Sequence, residues 1–141
     1  MRYLKALYLL PLLLFVASLC LPAVYQSHRP TSGAWLLVLG WLGVLRLQIA
    51  WLANPVGLAA FLFGLSNRPW PAAVLSFVAL LISLTALLWR TEPSLGEGGG
   101  QLEVRPAIGM YLWISSFAGL LCCVLLEGAL TRPGDGPRVV K

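Results

Sequence analysis

The apolar stretch at residues 33–66, GAWLLVLGWLGVLRLQIAWLANPVGLAAFLFGLS, is too long for one membrane crossing and too interrupted for one ordinary buried helix. As a continuous helix it would reach about 50 Å, whereas a bilayer's hydrocarbon core is about 30 Å thick and is crossed by about 20 residues. It must therefore bend, break or lie flat. Arg46 and Gln48 are costly at mid-membrane, and Pro55 removes a backbone donor and disfavours helical geometry at Asn54. In one reading residues 34–53 span and residues 55–66 form a shallow helix. In the preferred reading residues 34–47 form an interfacial helix carrying Trp35 and Trp41, and residues 48–66 span with a kink at Asn54-Pro55. That choice leaves Arg46 and Gln48 at the water boundary and puts Trp51 in an aromatic belt. A fifth crossing by residues 55–66 would require a thinned bilayer.

Composition says which solvent surrounds the chain. With 59% hydrophobic and 11% charged residues over 141 positions and a mean hydropathy of +0.83, there is too much apolar surface for a water-soluble globule, so lipid is the expected solvent. A net charge of +5 suggests nucleic acid in a soluble protein, but here the basic residues sit singly at segment ends. That is the pattern of membrane anchoring, and no nucleic-acid partner is expected. Cys20, Cys122 and Cys123 all fall in apolar runs and imply no disulfide framework.

In chain order, residues 1–25 begin with Arg2 and Lys5 and resemble a signal peptide, with a first span expected at 4–25. The apolar run is longer than a signal's core and lacks a small-x-small cleavage site, so a retained helix is expected. Residues 26–32 read as a polar turn holding the single histidine, His28, with Ser32 placed to cap the next helix. Residues 70–89 are the cleanest span, free of charge and bracketed by Trp70 and Trp89. Residues 91–106, with Gly98, Gly99 and Gly100, read as an exposed loop. Residues 107–128 are the last span, and residues 129–141 a basic tail. The expected architecture is all-α: a single polytopic membrane domain over residues 1–141 with four transmembrane helices and one interfacial or broken helix between the first two.

Charge sets the orientation. With both termini cytoplasmic, Arg2, Lys5, Arg68, Arg132, Arg138 and Lys141 lie inside, against Arg29, Arg46, Arg90 and Arg105 outside. A bacterial inner membrane is the expected location.

Lipid supplies little hydrophobic drive between helices, so small residues mark where backbones approach. Ala72, Ser76, Ala79, Ser83 and Ala86 recur at helical spacing on one face of the third span, as do Ala53, Gly57, Ala60 and Gly64 on the second. The fourth offers Ser115, Gly119 and Cys122. The first helix is mostly leucine and is expected at the periphery, or against a partner.

Little chemistry is visible. Arg46, Asn54 and Glu127 are the polar candidates near membrane depth, with Arg46 read as a snorkelling anchor and Glu127 as a partner for Arg132 or Arg68. The adjacent Cys122 and Cys123 resemble the thiols of small metal-ion carriers such as the bacterial mercury transport proteins. There is only one such pair, however, it lies in the last helix, and consecutive helical residues point about 100° apart. No metal, cofactor or catalytic residue is assigned. The expected function is non-enzymatic, as an accessory subunit, scaffold or protective partner in a membrane process. The alternative is a small oligomeric transporter or channel-like protein. Expected partners are the lipid bilayer and either further copies of the chain or an unlike membrane protein.

Overall fold

The computed structural model describes residues 5–26, 28–46, 48–93 and 101–130, with backbone alone at 44–46, 92, 93, 101 and 102. The chain is mostly helical with a small sheet. In order, it forms α1 (Leu9–Cys20), β1 (Pro22–Gln26), β2 (Arg29–Ser32), α2 (Gly33–Leu39), 3₁₀ segments at Gly40–Arg46 and Ile49–Leu52, α3 (Ala53–Leu65), α4 (Pro69–Leu84) with a 3₁₀ extension Thr85–Leu88, β3 (Thr91–Pro93), β4 (Gln101–Pro106) and α5 (Ile108–Leu130). Of the basic tail expected at 129–141, residues 129 and 130 belong to α5, and residues 131–141 lie outside the described residues.

Two helices are long and apolar enough to cross a membrane, Pro69–Leu88 with 20 residues and Ile108–Leu130 with 23. The other two expected spans are shorter: Leu9–Cys20 and Ile49–Leu65 fall below that length. Pro11 sits in the first turn of α1, where its missing N–H costs nothing. The helix stops at Cys20 because the next residues enter a strand.

Local chemistry explains the broken second segment. Ser32 Oγ accepts a hydrogen bond from the Trp35 amide at 3.3 Å and caps α2. The helix then tightens into a 3₁₀ segment ending at Arg46. A second 3₁₀ turn at Ile49–Leu52 leads into α3, and Pro55 sits in the first turn of that helix, where it is tolerated. The irregularity expected at Asn54-Pro55 is thus a change of helix type just before it. Trp51, expected in an aromatic belt, donates its Nε1–H to the Leu37 carbonyl at 2.8 Å and ties the two arms together.

The sheet is the element that the all-α reading omitted. Its order is β2-β1-β4-β3, all neighbours antiparallel. The polar turn expected at 26–32 is a hairpin, in which Gln26 pairs with Arg29 and His28 takes the left-handed backbone that tight reversals use, φ 71°. The loop expected at 91–106 supplies β3 and β4, and residues 94–100 lie outside the described residues. In β4 Val104 is buried between exposed Glu103 and Arg105, the alternation of a strand with one covered face. Val24 and Val104 pack with Ala86 and Met110, which seats the sheet on the ends of α4 and α5.

α5 lies between α1 and α4, and α3 packs chiefly on α4 while also touching α5. The small-residue faces of α3 and α4 meet in antiparallel register, with Ala60 and Ala72 in one buried cluster and Ala53 and Ala79 in another. Gly57, Gly64, Ser76, Ser83 and Ala86 are buried on the same faces. The face expected on α5 is displaced by one residue: Ser115 and Cys122 are exposed, whereas Ser116, Phe117, Leu120, Cys123, Val124 and Glu127 are buried. The reason is volume. Phe117 stands against Gly57, where a Cβ would collide with its ring, so bulk on α5 is matched to the absence of bulk on α3. Gly119 meets Pro11 of α1 at ordinary contact distance. α1 therefore packs closely on α5 while its leucine surface stays exposed at the edge of the bundle.

Candidate functional site

The polar side chains fall into two groups, one at each end of α5. At the end far from the sheet, Tyr8 Oη donates to Glu127 Oε2 at 2.6 Å, with both side chains buried. Gly64 of α3 lies against the tyrosine ring, where a Cβ would approach ring atoms to 2.7 Å. Lys5 Nζ donates to the Leu65 carbonyl at 2.7 Å, and Cys123 Sγ to the Leu7 carbonyl at 3.4 Å. These contacts join the start of the chain to α3 and α5. Tyr8 was not among the residues expected to meet Glu127, because a tyrosine in a leucine-rich run gives no sign of a partner 119 residues away. Of the partners expected for Glu127, Arg132 lies outside the described residues and Arg68 is exposed.

At the sheet end, Trp113 Nε1–H donates to Asn54 Oδ1 at 2.9 Å and fastens α5 to the first turn of α3. The Trp113 ring meets Phe117 edge to face with centroids 5.3 Å apart. Asn54 is thereby engaged in helix-to-helix bonding. The side chain of Arg46, the third polar candidate, lies outside the described residues.

Beside the Asn54–Trp113 bond opens a cleft of about 1100 Å³. Its walls come from the end of α1, the hairpin, the α2 and 3₁₀ arms, the end of the α4 extension and the start of α5. Leu36 and Met110 contribute apolar surface, while Trp51, Asn54, Trp89 and Arg90 contribute polar groups. Trp89 Nε1–H is buried and has no hydrogen-bond partner among the described residues. Such a donor carries a desolvation penalty that an acceptor would remove.

On the solvent side of the sheet, Arg105 Nε and Nη2 clamp both oxygens of Glu103 at 2.9 and 3.1 Å. The guanidinium holds the Glu103 carboxyl below the usual carboxylate range, and the carboxylate in turn raises Arg105.

No protein-family model, curated protein or solved structure matches the chain. Function therefore has to be argued from this geometry. Among the described residues no group of three His, Cys, Asp or Glu side chains is placed to hold a metal ion. Cys122 is exposed and Cys123 buried, so the adjacent thiols face different surroundings. What the arrangement offers chemically is hydrogen bonding between helices, and a lined cleft at one end of them.

Proposed function

We propose that the chain is a non-enzymatic, four-span protein of a bacterial-type inner membrane, both termini cytoplasmic, that serves a larger membrane process as an accessory subunit, scaffold or protective partner. The observation that carries this reading is the use made of the polar residues near membrane depth. Asn54 and Glu127 each hold one helix to another, through Trp113 and Tyr8. Polar residues inside a membrane protein mark pathways or catalysis when they face a substrate, and cohesion when they bond across helices. Further support comes from α1, whose Leu9, Leu10, Leu13 and Val16 expose a broad apolar surface suited to lipid or to an unlike membrane helix.

In this reading α1 and α3 cross with their 3₁₀ and turn extensions, and the sheet caps the outer end. The topology is tested with single cysteines at Ser66 and Glu103, in a background with Cys20, Cys122 and Cys123 replaced by alanine. An impermeant thiol reagent applied from outside should label Glu103→Cys and spare Ser66→Cys. Equal labelling overturns the four-crossing arrangement.

The role is tested by purification from native membranes. Recovery of one unlike partner in fixed stoichiometry, lost when Leu13 and Val16 are both changed to serine, supports the accessory role. A second reading, a small oligomeric transporter or channel-like protein, is favoured by the cleft. Homo-oligomers that load a solute into vesicles would decide for it.

A further inference from the structure

We propose that the cleft bounded by Trp51, Trp89, Arg90 and Trp113 binds one anionic phospholipid, with the phosphate at Trp89 and Arg90 and the acyl chains along Leu36 and Met110. The proposal rests on the membrane-spanning reading above, which makes such a ligand abundant at the cleft.

Size is the first argument. At about 1100 Å³ the cleft exceeds the roughly 300–1,000 Å³ of pockets that hold drug-sized molecules. That volume accommodates a headgroup and the upper part of the chains. Charge is the second. Arg90 lines the cleft and no acidic side chain does among the described residues, so this lining complements an anion. An arginine fork matches phosphate oxygens in pairs. The third argument is the orphaned donor. Trp89 Nε1–H is buried at the wall without a partner among the described residues, and a phosphate oxygen is a strong acceptor for it.

Position is the fourth argument. The cleft lies where the apolar length of Pro69–Leu88 ends and the sheet begins. Its lining combines apolar Leu36 and Met110 with polar Thr31, Gln48 and Arg90. Tryptophans frame this border, as they do at the headgroup level of membranes. An amphiphile satisfies both kinds of lining at once. A wholly apolar ligand would leave the indole N–H unsatisfied, and a free anion would leave the apolar wall bare.

The test uses the full chain, stripped of lipid in a maltoside detergent and titrated with phosphatidylglycerol or phosphatidylcholine, with adducts counted by native mass spectrometry. One phosphatidylglycerol should bind about tenfold more tightly than phosphatidylcholine, which has the same phosphate but adds a choline cation that Arg90 repels. Trp89→Phe keeps the ring and deletes the donor, and Arg90→Gln deletes the charge. Each should weaken phosphatidylglycerol binding about tenfold, the size expected for one hydrogen bond to a charged acceptor. Trp70→Phe, at an exposed site beyond the cleft, should leave it unchanged. Equal affinity for the two lipids, or full retention by both cleft variants, overturns the proposal. So does displacement of the lipid by inorganic phosphate alone, which would mark a site for a free anion.

Should Trp89→Phe fail to fold, Arg90→Gln, whose side chain is exposed, carries the test. Failure of lipid binding with opposite-side labelling of Ser66→Cys and Glu103→Cys overturns this site and leaves the membrane reading standing. A chain that stays monodisperse without detergent overturns the reading beneath it.

Discussion

Tyr8 Oη sits 2.6 Å from Glu127 Oε2, and this single bond joins the residue just before α1 to the last turns of α5. Deleting the hydroxyl by Tyr8→Phe keeps the ring against Gly64 and removes the buried donor. The expected cost is about 1–3 kcal/mol of stability, read as a lower midpoint in thermal unfolding of the detergent-solubilised chain. Glu127→Gln retains an acceptor and should cost less. If Tyr8→Phe melts like the parent chain, this bond does not fasten α1 to the bundle.

The Trp113–Asn54 bond is a second such fastening, and a double-mutant cycle isolates it. Trp113→Phe, Asn54→Leu and the combination should show a coupling of about 0.5–1.5 kcal/mol, as interhelical hydrogen bonds do in membrane proteins. A coupling near zero would mean that the 2.9 Å contact adds nothing beyond packing.

Two glycines with the same look in the sequence should behave differently. A Cβ at Gly64 would press on the Tyr8 ring at 2.7 Å, and that ring is pinned by Glu127. Gly64→Ala should therefore cost about 1–3 kcal/mol through overpacking. A Cβ at Gly119 would meet Pro11 at 3.7 Å, an ordinary contact. Gly119→Ala should be neutral or slightly stabilising, since alanine also improves helix propensity. Similar melting midpoints for the two variants would contradict this packing.

Glu103 and Arg105 allow a prediction about pH. A carboxyl held below its ordinary value favours the folded state at pH above the unfolded-state titration. That preference fades as the pH falls through the depressed folded-state value. In a carboxyl-carbon NMR titration Glu103 should have a midpoint below that of a free glutamate, and Arg105→Gln should raise it. Both side chains are well exposed, so the same substitution should barely move the melting temperature at neutral pH.

By itself the sequence determined where apolar helices run and the small-residue faces of one helix pair. The charge-free run between Trp70 and Trp89 and the repeats from Ala53 to Gly64 and Ala72 to Ala86 are local patterns. The face they mark follows from helical periodicity alone. The alternation through Glu103, Val104 and Arg105 was present as well, but glycines nearby made β4 read as loop. Only the tertiary structure decided which partner each face took. Glu127 met Tyr8, the buried face of α5 lay one residue away from its small side chains, and α1 docked on α5 through Pro11 and Gly119. These are contacts between residues far apart in the chain, chosen by volume matching and by the need to pair buried donors. Neither quantity exists until the helices are placed side by side. The cleft is of the same kind: Trp51, Trp89 and Trp113 come from separate segments, and only folding sets their indoles around one space.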